Sequence, residues 1–303
     1  MDRDKARGRD EGVKERQGTD SVINLPVAQS SLSPSNRPSK KLGQHFLTDS
    51  RIIDRIIEAL DPKRDETIIE IGPGRGALTS QLVEKAGRVV AVEFDRNLNL
   101  LLLERFGSHD NFKLVQSDAL VTDLCSEILP AKQARVIANL PYNISTAILQ
   151  RLIGQRSCLR EMVLMLQREV VDRLTASAGS TDRGYLSVFV EAYCEREKLF
   201  DVAPGSFRPA PKVWSSVIHL SVRSPIAAEI NDEKLLWTIV SAGFAQRRKT
   251  ILNNLRNLPE ALQPSMKRRG GASIILCEAE IDPKRRAETL TLSEWSRIAR
   301  LLD

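Results

Sequence analysis

Gly72, Glu93, Asp118 and Asn139 each stand where an apolar run of the sequence stops, and their types are those that hold a nucleotide. Gly72-Pro73-Gly74-Arg75-Gly76 follows "IIEI" and precedes a helix-like stretch. Glycines there let the backbone turn tightly and let a ligand approach the main chain. Glu93 closes the next apolar run, about twenty positions past Gly72, where an acid can accept from both hydroxyls of a ribose. Asp118, in "QSDAL", offers an acceptor to an exocyclic adenine amine, or equally a helix N-cap. With Ala77 the turn also satisfies G-x-G-x-x-A, so two ligands compete: a dinucleotide such as NAD, and S-adenosylmethionine. A glycine turn needed only for strand–helix packing is the bland alternative.

The stretch "ANLPYN", residues 138–143, has work in methyl transfer and none in hydride transfer. A methyl donor needs a nucleophile, and N6 of adenine is a weak one because its lone pair is delocalised into the ring. An enzyme can localise that pair by accepting both N–H hydrogens. The Asn139 side-chain oxygen supplies one acceptor and the Leu140 carbonyl another, with Pro141 stiffening the loop through its fixed φ. Tyr142 can stack on the base. No charged general base is required, so catalysis here is positioning and lone-pair localisation. The plain reading is a turn with a packed tyrosine.

Elements must place these groups at one edge. Ile52, Ile53, Ile56, Ile57 and Leu60 have the 3–4 spacing of an amphipathic helix that Asp61-Pro62 ends. "TIIEI", "RVVAVEFD", "FKLVQSDAL", "RVIANLPY" and "MVLMLQ" read as strands, separated by helix-like segments such as 97–106, with "REVVDRLTA" as a helix after the fifth. Strands alternating with helices imply a parallel sheet covered on both faces, with ligands beyond the carboxyl ends of its strands. "YLSVFVEAYCE" and "SSVIHLSV" are expected to add antiparallel strands. From about residue 232 the pattern is helical, including "FAQRRKTILNNLRN". The expected organisation is a polar, disordered tail at 1–39, an α/β domain at 40–225 and a small all-helical domain at 226–303.

Composition narrows the partners. The 303-residue chain is 42% hydrophobic and 28% charged, and lacks an apolar run of membrane-spanning length. Four scattered cysteines, none in C-x-x-C, and three histidines make a disulfide framework or a metal site unexpected and a reducing cytoplasm the natural setting. The net charge is +6, most of it carried by residues 231–303, where 13 Lys/Arg face 9 Asp/Glu. Clustered cations suit a polyanion, or a solvated surface. If a base must leave its stack to react, Phe46 and Phe207 are candidates to cover it. Lys212 and Arg247-Arg248-Lys249 are candidates for phosphate contacts. Both phenylalanines fit a core as well.

At this point the chain resembles a known family, the ribosomal RNA adenine dimethyltransferases, in its small-subunit branch. The motifs "GQHFL", "EIGPGRGALT", "VEFD", "SDAL", "NLPYNIST", "MLQREVVDRL", "FRPAPKVWSS", "FAQRRKTILNNL" and "IDPKRRAETL" occur in the family's order over residues 40 to about 300. The resemblance implies an α/β, Rossmann-like S-adenosylmethionine-dependent methyltransferase sheet with a small all-helical C-terminal domain. It implies N6,N6-dimethylation of two adjacent adenosines in the 3′-terminal hairpin of 16S RNA within the 30S subunit, by a cytoplasmic enzyme expected to be a monomer. Matched onto this chain, the family's cofactor contacts fall on His45, Leu47, Gly72, Glu93, Asp118 and Asn139, beside Gly74 of the turn, and its catalytic loop on Asn139, Leu140 and Tyr142. Many relatives have Asn in place of His45, and Glu280 stands where relatives often show Gly before "IDP". A sibling branch acting on 23S RNA shares the front half, while "FAQRRKT" and "IDPKRRAE" favour the small-subunit branch. A role mainly as a 30S assembly factor stays open beside catalysis.

Overall fold

β-Branched runs that alternate sides every residue need apolar cover on both faces, and that cover is what the chain builds. The structure, a computed structural model, describes residues 44–228 and 230–303. The expected tail at 1–39 lies outside the described residues. In chain order the elements begin with β1 (Phe46–Leu47), α1 (Ser50–Leu60), β2 (Thr67–Ile71), α2 (Thr79–Lys85), β3 (Arg88–Glu93), α3 (Arg96–Phe106) and β4 (Phe112–Gln116). Next come α4 (Leu124–Glu127), β5 (Ala134–Asn139), α5 (Ser145–Gly154), β6 (Leu159–Gln167), α6 (Arg168–Thr175), α7 (Tyr185–Tyr193), β7 (Cys194–Val202), β8 (Phe207–Arg208) and β9 (Ser215–Val222). The last five are α8 (Glu233–Gly243), α9 (Ile251–Arg256), α10 (Gln263–Arg268), α11 (Ala272–Glu278) and α12 (Leu292–Leu302).

Seven strands form one sheet in the order β4-β3-β2-β5-β6-β9-β7. The pairs from β4 through β6 are parallel, and β9 runs antiparallel between β6 and β7. Side-chain alternation divides the core. Ile69, Ile71, Val136, Ala138 and Leu164 enter one apolar cluster, and Ile68, Ile137, Val163 and Met165 enter the other. The second cluster takes Ile56, Ile57 and Leu60 of α1, where the spacing predicts them. The first continues into the C-terminal helices through Leu236, Ile239, Trp295 and Ile298, so apolar packing crosses the expected boundary at 225/226.

Three expectations are corrected. "YLSVFVEAY" is helix α7, and its strand begins only at Cys194. Tyr185, Phe189 and Tyr193, one helical turn apart, form an aromatic column, with all three rings within 6.0 Å of Trp237 between centroids. Tertiary packing of that column outweighs β propensity. "FAQRRKT" is not helical throughout: α8 stops at Gly243, and Thr250 starts α9 by accepting from Asn253 N–H. Arg247, Arg248 and Lys249 therefore sit in an exposed turn. Third, Cys125 and Cys158 are joined in a disulfide, with Cα atoms 5.5 Å apart. Their separation of 33 residues carries no sequence signal. The Gln155 side chain, which accepts from Leu124 N–H, packs the turn before β6 against the start of α4 and brings the two thiols together.

Candidate active site

Parallel strands end together, so their carboxyl ends make a rim. At that rim β2, β3, β4 and β5 deliver Gly72, Glu93, Asp118 and Asn139 to one cavity of about 310 Å³. His45, Phe46, Leu47, Gly74, Leu140, Pro141 and Tyr142 line it too. Every expected cofactor and catalytic residue is thus a wall of a single space.

Asn139 ends β5, and its Nδ2 donates to the His45 carbonyl at 3.1 Å. A carbonyl can only accept, so the amide orientation is fixed and Oδ1 is left as an acceptor without a protein donor among the described residues. Leu140 N–H donates to Met165 O at 3.1 Å, which pins the loop to β6. Ile144 N–H closes a turn onto the Pro141 carbonyl, and α5 follows from Ser145. The Tyr142 hydroxyl hydrogen-bonds to the Ser215 hydroxyl on β9. Its ring stacks with the His45 imidazole, 5.6 Å between centroids and 25° between planes. His45 Nδ1 meets the Pro209 carbonyl at 2.8 Å, so that nitrogen carries the proton.

Glu93 is 7% exposed. One oxygen accepts from Gly74 N–H at 3.1 Å and the other from Asp95 N–H at 2.9 Å. The carboxylate ties the glycine turn to the end of β3 and keeps further lone pairs for a ligand. Burial raises its pKa against the two backbone bonds. Asp118 gives one oxygen to Leu120 N–H at 2.9 Å, the local turn that the N-cap reading anticipates, and still borders the cavity. Gly74 has φ +59, and a Cβ there would meet the Phe46 ring at 3.1 Å. Gly76 has φ +78, and a Cβ would overlap Phe106 at 2.4 Å.

The remaining expected residues divide. Phe46 lies in the cavity wall, with the Arg75 guanidinium 4.6 Å from its ring centroid. Phe207 is fully buried in the core, paired across a two-stranded ribbon with Leu47, and is unavailable to cover a base. Lys212 and the Arg247–Lys249 turn are exposed and outside the cavity. Arg247 donates to the Thr181 and Arg183 carbonyls, a structural bond that the sequence did not foreshadow.

One wall residue, Glu70, and one residue behind the wall, Ser215, escaped the sequence reading. Glu70 is 1% exposed and takes a 2.6 Å hydrogen bond from Thr79 Oγ1. Burial, with the charge of Glu93 adding, pushes its carboxyl up to about 8. An acid inside an otherwise apolar strand, "IIEI", was the available signal. Ser215, which holds Tyr142, had none. Among the described residues no cluster of His, Cys, Asp or Glu could hold a metal, and no helix is long and apolar enough to cross a membrane.

The chain is 42% identical over 262 residues to "Ribosomal RNA small subunit methyltransferase A" of Hahella chejuensis, covering 86% of this chain and 91% of that protein. The protein of the same name from Geobacillus thermodenitrificans is 40% identical over 268 residues, covering 87% and 90%. A dimethyladenosine transferase from Plasmodium falciparum shares the fold at TM-score 0.70 and 23% identity, over 84% of this chain and 96% of that one. The 23S rRNA methyltransferase ErmE follows at TM-score 0.64 and 25% identity, over 85% and 99%. The model of the family described as Ribosomal RNA adenine dimethylase matches residues 35–297, and the chain belongs to that family.

Proposed function

We propose that this protein dimethylates N6 of two adjacent adenosines in the 3′-terminal hairpin of 16S rRNA, in the small ribosomal subunit, with S-adenosylmethionine as donor. The observation that carries the reading is the Asn139 amide: its nitrogen is committed to the His45 carbonyl, and its oxygen remains a free acceptor at the cavity wall. The relatives at 40–42% identity are named as small-subunit methyltransferases, which supports this substrate over 23S RNA.

The cavity suits the donor. Glu93 and Asp118 are acceptors placed for ribose hydroxyls and an adenine amine, and the glycine turn lets a ligand reach the main chain. When bound, S-adenosylmethionine supplies a sulfonium methyl. The chain's own residues prepare the acceptor. Asn139 Oδ1 and the Leu140 carbonyl take the two amine hydrogens and return electron density to N6. Tyr142, fixed by Ser215 and His45, offers its ring to the base. Preorganised acceptors of this kind need no reorganisation at the moment of reaction. Arg248 and Lys249, with Lys212, serve the phosphates.

Asn139→Ala keeps its fold and loses about 100-fold or more in methyl transfer to undermethylated small subunits, the size of effect seen when one preorganised partner is removed. Mass spectrometry of 3′-terminal 16S fragments reads the product. Full activity in that variant refutes the assignment.

A further inference from the structure

Next to the hydroxyl that holds Tyr142 stands a large aromatic side chain that neither the fold nor the proposed chemistry uses. Trp214 retains 45% of its surface and its neighbour Val213 41%, in a protein whose other described tryptophans are buried or half-buried. Its backbone is fixed: the Trp214 carbonyl accepts from Arg168 N–H at 2.9 Å, and Ser215 pairs with Gln167 at the start of β9. The Arg168 guanidinium lies 5.7 Å from the indole centroid, within cation–π range. Arg168 is exposed, and its charge acts on the Asp201 carboxylate without a close ion pair among the described residues. Exposed Lys212 is two positions away.

An exposed indole is unfavourable on a free protein surface, and Arg168 and Lys212 beside it are exposed cations held by no close ion pair among the described residues. Both gain a use if the occupant is flat and anionic, which describes a nucleotide and not an apolar peptide or a second copy of this chain. Stacking on an aromatic ring tolerates any base, and cations beside it take the phosphate. The position fits the neighbour of the reacting nucleotide. Asn139 pairs with Met165 on β6, and β6 pairs with β9. Met165 pairs with Val217, so two strand spacings across and two residues along β9, roughly 12 Å in all, separate the Asn139 backbone from Ser215, and Trp214 lies one residue further.

Resting on the function proposed above, we propose that Trp214, braced by Arg168, is a stacking platform for the nucleotide joined to the adenosine under reaction, holding the RNA in place while that adenosine occupies the cavity. It is a positioning residue and acts on substrate capture, not on the methyl-transfer step.

The test uses the full chain with undermethylated small subunits and with single-stranded oligoadenylate. Trp214→Ala raises KM for subunits about tenfold with little change in kcat, the effect of losing one stacked base. Trp214→Phe restores most of the loss. Oligoadenylate quenches tryptophan fluorescence of the unaltered protein, and the quench disappears in Trp214→Phe because the indole is gone while the platform remains. An unchanged KM in Trp214→Ala, or a quench that survives in Trp214→Phe, overturns the proposal. So does a Trp214→Ala defect seen with whole subunits while the unaltered protein shows no oligoadenylate quench, which points to a ribosomal protein as the partner. If the unaltered protein methylates no subunits, the proposed function falls, and the oligoadenylate quench still decides whether Trp214 stacks on RNA bases.

Discussion

The cavity wall and the basic turns of the last quarter are both rich in polar side chains, and they differ in what those groups are bonded to. In the wall, Glu93, Asp118, Asn139 and Tyr142 each have a fixed protein partner and a remaining lone pair or ring face. In the turns, Arg248 and Lys249 are exposed and have no side-chain partner among the described residues. The basic cluster Lys284-Arg285-Arg286 divides internally. Arg285 pairs with Glu294 and Thr289 and bolts a turn to α12, whereas the Lys284 side chain makes no such bond among the described residues. Held groups can be complementary to a transition state, because they need not move. Free cations attract a polyanion over a distance set by salt. A basic cluster is therefore not one kind of site, and only contacts separate the bolt from the exposed cation.

The comparison can be broken first at Phe207, an aromatic ring that suited the RNA face and the core equally and is found in the core. Phe207→Ala costs about 3–5 kcal/mol of stability, the usual range for a buried ring, read by denaturant unfolding. Whatever remains folded keeps its RNA affinity. A variant that is stable and binds RNA poorly would put the ring back at the interface.

Glu70 sharpens the cavity side. Its folded carboxyl is raised to about 8 from 4.5, so the folded state holds a proton that the unfolded state has released. Its contribution to stability is complete below pH 4.5 and declines as pH rises through about 8. Glu70→Gln is neutral throughout and removes that decline. Melting temperatures at pH 5 and pH 9 then differ less in the variant than in the unaltered protein.

On the basic side, Arg248→Ala with Lys249→Ala weakens RNA binding about tenfold at moderate salt, lowers the salt slope by roughly 2, and leaves calorimetric binding of S-adenosylmethionine unchanged. A change in cofactor affinity would mean that the two regions are coupled. The smallest effect is expected away from both. Glu280 has φ +57, a left-handed conformation that suits glycine. Glu280→Gly stabilises by about 1 kcal/mol, visible as a higher melting temperature.

Reading the sequence placed the residues of the cavity wall better than the types of some elements around them. Gly72, Glu93, Asp118 and Asn139 were legible because each terminates a strand, and strand ends in a parallel sheet converge whatever the loops do. The Glu280 turn was legible as an oddity, and its positive φ is the physical content of that oddity. Helix α7 was not legible as such, since its Val, Phe and Tyr residues suit strands and only Trp237, over forty residues away, makes their helical column favourable. Phe207 carried two readings of equal weight, and burial chose between them.

What the sequence alone determined are the properties that depend on local order along the chain: strand runs, the positions where they stop, the chemical types waiting there, and the motif series that marks the family. The tertiary structure decided which groups are committed. It turned the Asn139 amide by placing the His45 carbonyl against its nitrogen, joined Cys125 to Cys158, took Arg247 and Arg285 for internal bonds, and left Trp214 in the open. Each of those outcomes needs a partner remote in sequence. A residue's type fixes what it can bond to, and only the fold brings the partner within reach.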